Sequence, residues 1–149
     1  MMALILMPKD DKLIEFGFGI EKEGKLVLHE FEAAYAAEKG YMKSKKGFFA
    51  LLSEKGMAEK YLVYRDLREN GYILRLSLSG DFFRVYRKGF RPGEDRTLYL
   101  LKVVPEESIK TGNLLADSLI AGKMRKELVY AFVRDGRIIY VSLTRKRFP

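Results

Sequence analysis

The period of the apolar positions changes at Gly71. Ahead of it, Met57 to Asn70 sets Tyr61, Tyr64 and Leu67 on one stripe with charges elsewhere, which predicts a helix, and Gly71 is a natural left-handed residue to end it. Behind it the period is two. Tyr72, Leu74, Leu76 and Leu78 face one way and Arg75, Ser77 and Ser79 the other, the pattern of a strand with one wet side. Phe82 to Arg87 reads as a second strand, and Lys88 to Asp95, with Gly89, Pro92 and Gly93, as a loop. Thr97 to Val104 is short and nearly all apolar, the mark of an inner strand covered on both faces, and Pro105 ends it. Ser108 or Thr111 can cap a helix running to about Lys123, with Leu115, Leu119 and Gly122 along one stripe. Leu128 to Val133 and Arg137 to Leu143 flank Asp135-Gly136, a hairpin turn in which both residues take positive φ.

The first part of the chain is less regular. Gly17, Gly19 and Gly24 punctuate Lys12 to Ile20 and Lys25 to His29, which read as short strands. From Glu30 the spacing of Phe31, Ala34 and Tyr35 predicts a helix stopped by Gly40, and Phe48 to Ser53 repeats the pattern until Gly56. The expected fold is therefore an α+β N-terminal lobe, residues 1–57, followed by an α/β C-terminal lobe, residues 58–149, with a mixed sheet flanked by helices.

At 149 residues and 48% apolar composition, the chain can bury a core without disulfides. It has no cysteine, which removes thiol catalysis, iron–sulfur chemistry and Cys-ligated zinc, and suits a reducing interior. The expected address is cytoplasmic. The seven apolar-rich residues at the start run into Pro8, Lys9 and Asp10, too short for a membrane span and without a basic leader. Charge is unevenly placed. Residues 1–60 hold ten Lys, ten acidic residues and no Arg, whereas residues 61–149 hold six Lys, twelve Arg and ten acidic residues, so the whole excess of +8 lies in the C-terminal part. An arginine-rich lobe suits phosphate and base contacts, and a solvated surface rich in Lys, Glu and Arg would look the same.

Taken by themselves, the candidates for chemistry are few. His29 is the only histidine, so no two-His metal site or His pair can form within the chain. Its place between a strand and a helix fits a capping or surface role. Asp10-Asp11 and Glu106-Glu107 need not converge, and no metal or cofactor is expected. Gly17 and Gly19 lack the helix that a dinucleotide fingerprint requires.

Four segments in register are more specific: Tyr64-Arg65-Asp66-Leu67-Arg68-Glu69-Asn70-Gly71-Tyr72, then Phe83-Arg84-Val85-Tyr86-Arg87, then Pro92-Gly93-Glu94-Asp95 with Tyr99-Leu100, then Arg125-Lys126-Glu127-Leu128. In order and spacing they resemble the archaeal tRNA-splicing endonuclease family, over residues 61–149 and more loosely over Leu26 to Gly40. The resemblance implies a tRNA-intron endonuclease-like fold and a metal-free RNA cleavage at bulge-helix-bulge sites of precursor tRNA. A ribose 2′-OH attacks the adjacent phosphate, leaving a 2′,3′-cyclic phosphate and a 5′-OH. Family enzymes are described as using a Tyr, a His and a Lys, sharing between them proton removal, proton donation and stabilisation of the phosphorane charge. Tyr86 falls on the tyrosine and Lys126 on the lysine. The histidine's position is Arg96, which stays protonated and cannot shuttle a proton near neutral pH; loss of a positioned general acid costs roughly 10²- to 10⁴-fold. A stacking arginine seven residues before the lysine is here Leu119, and the aspartate of the usual strand motif is Phe82, with Asp81 adjacent. Arg145 matches the other stacking arginine.

Family framework residues around a broken catalytic set imply a non-catalytic, architectural subunit paired with a catalytic paralogue in a hetero-oligomer, expected to be a heterotetramer, acting on precursor tRNA. Alternatives are an active homo-oligomeric endonuclease lacking the usual histidine and a general RNA-binding scaffold. In the family, dimers form by pairing last strands edge to edge, which makes Arg137 to Leu143 the expected edge. Arg91 and Arg96, on or beside the loop, together with Arg145, are the expected RNA contacts, with Arg91 and Arg96 ahead of Arg87; period two sets Arg84 on the strand face of Tyr86 and Arg87 on the other.

Overall fold

A computed structural model describes residues 4–43, 54, 56–77, 79–88, 97–105 and 110–148. Among the described residues the chain has two sheets and four helices. The first sheet holds β1 (Leu4–Pro8), β2 (Ile20–Lys22) and β3 (Lys25–His29), antiparallel in the order β1-β3-β2. Between β1 and β2 lies α1 (Asp11–Glu15), and α2 (Glu30–Glu38) follows β3 directly. Helix α3 (Met57–Glu69) then leads into a five-stranded sheet ordered β4-β5-β6-β7-β8: β4 (Leu74–Leu76), β5 (Phe83–Tyr86), β6 (Thr97–Val103), β7 (Glu127–Arg134) and β8 (Arg137–Leu143). Helix α4 (Thr111–Met124) crosses from β6 to β7, the one parallel pair in this mixed sheet.

The expected fold class is the one observed. β6 sits at the centre of the large sheet, Gly71 ends α3 at φ +92° with its N–H on Arg68 O and that of Tyr72 on Leu67 O, and Asp135 and Gly136 turn the last hairpin at φ +49° and +74°. Three expectations need correction. Lys12 to Ile20 is not a strand: Asp10 Oδ1 accepts from the N–H groups of Lys12 and Leu13 and starts a single helical turn, α1. Among the described residues, the strand expected from Tyr72 narrows to Leu74–Leu76. The stripe Leu115, Leu119, Gly122 on α4 faces solvent, with Leu115 61% and Leu119 53% exposed, while Leu114, Asp117 and Ala121 meet the sheet. The expected helix at Phe48 to Ser53 lies outside the described residues, as does Ser108, one of two candidate caps for α4; the other, Thr111, is the first residue of the helix itself, and the N-cap position falls to Lys110.

One core runs through both halves. Phe18, Leu28 and Phe31 from the first half pack with Tyr61, Tyr64, Leu74, Phe83 and Leu101 from the second, and the Phe31 and Phe83 rings lie 5.6 Å apart edge to face. α3 is thus held between α2 and one face of the large sheet. On the other face α4 covers Leu100, Leu128 and Tyr130. Among the described residues no helix is long and apolar enough to cross a membrane.

Candidate functional site

The sheet register gathers the candidate residues at one end. Tyr86 closes β5 opposite Thr97, the first residue of β6, and Tyr99 two positions on pairs with Glu127, the first residue of β7. Lys126 immediately precedes Glu127. β7 and β8 are antiparallel with Leu128 opposite Leu143, and continuing that register puts Arg145 opposite Lys126. Tyr86, Lys126 and Arg145 therefore belong to three strands that reach the same edge of the sheet. The backbones of Tyr86 and Lys126 are separated by two strand spacings, about 10 Å. Period two sets Tyr86 opposite in direction to Val85, which is in the core under α3, and sets Lys126 in step with Leu128, which is under α4. Both accordingly belong to the α4 face.

Lys126 is aimed by the end of α4. Arg125 takes the left-handed conformation at φ +55°, its N–H reaches Gly122 O, and the N–H of Lys126 reaches Ala121 O, so the helix stops abruptly and the chain turns into β7 with Lys126 at the corner. A cavity of about 350 Å³ opens there, lined by Ser118, Ala121, Lys126, Leu128 and Arg145 among others. Two cations together with the apolar Ala121, Leu128 and Leu143 in one lining suit an anion carrying an apolar group. Glu127, on the rim, is engaged by the Ser142 hydroxyl, which ties β7 to β8 beside it.

Tyr86 is buried, 6% exposed, and its N–H bonds Ile73 O, beyond the β4–β5 ladder. A shift of register between Val85 and Tyr86, where β6 carries an extra residue, twists this strand end. Arg91 and Arg96 lie outside the described residues. Arg84 sits on β5 opposite Leu100, in step with Tyr86, and Arg87 follows Tyr86 as an exposed residue.

His29 is elsewhere. It caps α2 in a reciprocal box: Nδ1 accepts from the Glu32 N–H at 3.1 Å, and Glu32 Oε1 accepts from the His29 N–H at 3.2 Å. The ring is 6% exposed, and burial holds the imidazole below the ordinary histidine range, with the opposing pull of the Glu32 carboxylate too weak to restore it. Since Nδ1 is an acceptor, the neutral ring carries its proton on Nε2.

Two buried polar constellations have no signature in the sequence. In the first, Glu32 Oε2 accepts from the Gly19 N–H at 2.6 Å and from Arg75 Nη1 at 3.0 Å, joining the first sheet, α2 and β4 at one carboxylate. Gly19 makes this possible: a Cβ there would lie 2.9 Å from Val27 O, and its φ is +69°. The second is Asp117, 5% exposed on α4, which accepts from the Tyr130 hydroxyl and from Lys102 Nζ at 3.2 Å. No sequence spacing reveals either one, because the partners are 13 to 43 residues apart.

Comparison with known proteins matches residues 57–140 to the family described as tRNA intron endonuclease, catalytic C-terminal domain. Similar proteins include a tRNA-splicing endonuclease of Methanothermobacter thermautotrophicus, 37% identical over 128 residues covering 79% of this chain and 75% of that protein. Another is a tRNA-splicing endonuclease of Pyrococcus furiosus, 34% identical over 148 residues covering 91% and 85%. A third, from Thermococcus onnurineus, is 36% identical over 144 residues covering 88% and 82%.

Proposed function

Because the chain belongs to the tRNA-splicing endonuclease family, we propose that it serves as the architectural subunit of that enzyme, assembled with a catalytic paralogue on precursor tRNA. The observation that carries this reading is the fate of the one histidine. The resemblance requires a Tyr, a His and a Lys at the cleavage site. Tyr86 and Lys126 occupy one edge of the large sheet, while His29 is built into the cap of α2 with its ring buried and its Nδ1 committed to the backbone. At the position the family gives to histidine stands Arg96, whose guanidinium can hold a phosphate but not donate a proton to the leaving 5′-oxygen near neutral pH. The Lys126 and Arg145 pair at the cavity supports a role in holding RNA.

Assembly is proposed through β8. It is the outer strand of the sheet, with Ile139 58%, Tyr140 37% and Val141 37% exposed, and has neither Lys nor Pro to discourage a partner strand. A second reading, an active homo-oligomer, is favoured by one observation: Tyr86 and Lys126 keep the edge and the face the chemistry would need. Substitution separates the two. In a complex reconstituted with the catalytic paralogue, Tyr86→Phe in this chain leaves cleavage unchanged if it is architectural, and Lys126→Ala weakens RNA binding but leaves the cleavage rate at saturating RNA unchanged. Loss of cleavage at saturating RNA on either substitution supports the active reading.

A further inference from the structure

The same end of the large sheet carries a second cavity on its opposite face, under the last turn of α3. It measures about 380 Å³, within the range of small-ligand sites. Its floor is apolar, made by Val85 and Leu101 of the sheet with Leu67 of α3. Three tyrosines wall it: Tyr72, Tyr99 and Tyr140. Tyr140 is held there by its hydroxyl, which donates to Asp66 Oδ2 at 2.7 Å and so engages one oxygen of the cavity's one carboxylate. At the rim Asn70 donates its Nδ2 to Asp66 O at 2.7 Å, leaving the amide oxygen as an acceptor, and Lys88 Nζ lies over the Tyr72 ring at 5.2 Å.

We propose that this cavity binds one unpaired nucleotide of an RNA, its base between the tyrosines and its phosphate at Lys88. One carboxylate, engaged by a tyrosine, and one rim lysine give the lining no net formal charge, which suits a neutral base in its interior. Aromatic walls with acceptor oxygens on Asn70 and Asp66 and an adjacent cation match a planar base bearing N–H donors and a neighbouring phosphate. Lys88 lies two residues beyond Tyr86, and Tyr99 pairs with Glu127, next to Lys126. A strand passing the Lys126 and Arg145 cavity on one face would thus meet this one by rounding the sheet edge. The proposal rests on the reading that the chain handles RNA, and adds a site on the face away from Lys126.

The test uses the full chain and amide chemical shifts. Each 5′-ribonucleoside monophosphate is titrated in turn, with ribose 5-phosphate as the baseless control. Saturable shifts at Asn70 and Tyr99 with a nucleotide and not with ribose 5-phosphate are expected, while Lys88 shifts with either phosphate. The Asn70→Ala/Lys88→Ala variant, altered only at exposed positions, should weaken binding by about tenfold, on the order of losing one base contact. No shift at Asn70 and Tyr99, or equal shifts at those two with ribose 5-phosphate, overturns the proposal. Binding of a bulge-helix-bulge RNA to the same samples is read in parallel. If that RNA binds while nucleotides leave the cavity unshifted, the cavity proposal alone falls; if neither binds, the RNA reading falls with it.

Discussion

Arg75 Nη1 on β4 stands 3.0 Å from Glu32 Oε2 on α2, and the Glu32 side chain is only 3% exposed. This pair crosses from the first sheet's helix to the second sheet, and it does not act alone. Glu32 also receives the Gly19 N–H, and Arg68 from α3 donates Nη2 to Phe16 O at 2.9 Å while its guanidinium lies 4.2 Å from the centre of the Phe18 ring. The halves of the chain are therefore joined by a buried polar knot as well as by the Phe31, Tyr64 and Phe83 cluster.

Removing one member of such a pair strands the other. Glu32→Ala takes the acceptor from the Gly19 and His29 N–H groups and leaves Arg75 Nη1 only the Gly17 carbonyl, at 3.4 Å, and the expected loss is about 3–5 kcal/mol in urea unfolding. Arg75→Met should cost a comparable amount. A double variant, Glu32→Leu/Arg75→Met, should be less destabilised than the sum of the singles, and strict additivity would argue against the pairing.

Stability should also depend on pH through His29. Burial depresses its folded pKa, so below the unfolded value of about 6.5 the unfolded chain takes up a proton that the folded chain refuses. Stability then falls as pH drops through 6.5 toward the folded pKa, by up to about 1.4 kcal/mol per pH unit, and is fully present above 6.5. His29→Asn keeps a capping acceptor without the titration. Its unfolding free energy should lose the slope between pH 7 and 5.5; an unchanged slope would assign the effect to other groups.

Asp117 supplies a third test. Its carboxylate is buried under α4 and takes the Tyr130 hydroxyl and Lys102, and burial together with this carboxylate pushes the Tyr130 hydroxyl well above the usual phenol range. Tyr130→Phe removes one donor from a buried charge and should cost about 1–3 kcal/mol. Hydrogen exchange should then quicken across α4 before it does in α3.

Much of this arrangement is legible in the sequence because it depends on local rules. α3 has thirteen residues, enough for a stripe to repeat, and Gly71 and Asp135-Gly136 mark places where only a few residue types fit. β6 announces its central place by being apolar on both faces. α1 is not legible because one turn has no period, and the signal that matters is a single side chain, Asp10. β1 is hidden for a different reason, since Leu4 and Leu6 are exposed and their strand is defined by pairing with β3, some twenty residues away. α4 is apolar on more than one face, so its pattern points to the wrong side. Its sheet-facing side includes Asp117, a polar residue whose burial is explained only by Tyr130 and Lys102 in other strands. At the candidate site, the edge shared by Tyr86 and Lys126 is set by strand order. Arg145 joins them only through the β7–β8 register, which the hairpin turn fixes.

The outer strand makes a prediction about assembly. If β8 pairs with a partner strand, Ile139→Lys/Val141→Lys should block association by adding charge to exposed edge positions without touching the inner core. Sedimentation of the wild-type chain with its paralogue should show a complex that the double variant lacks. A wild-type chain that stays monomeric at micromolar concentration, alone and mixed, would contradict the edge assignment.

The most direct test of the architectural reading is cleavage of a bulge-helix-bulge RNA by the purified chain alone and by the chain mixed with a family member that retains Tyr, His and Lys at the positions of Tyr86, Arg96 and Lys126. The account predicts no cleavage by this chain alone and restored cleavage in the mixture, with 2′,3′-cyclic phosphate and 5′-OH ends. Efficient cleavage by this chain alone would contradict it.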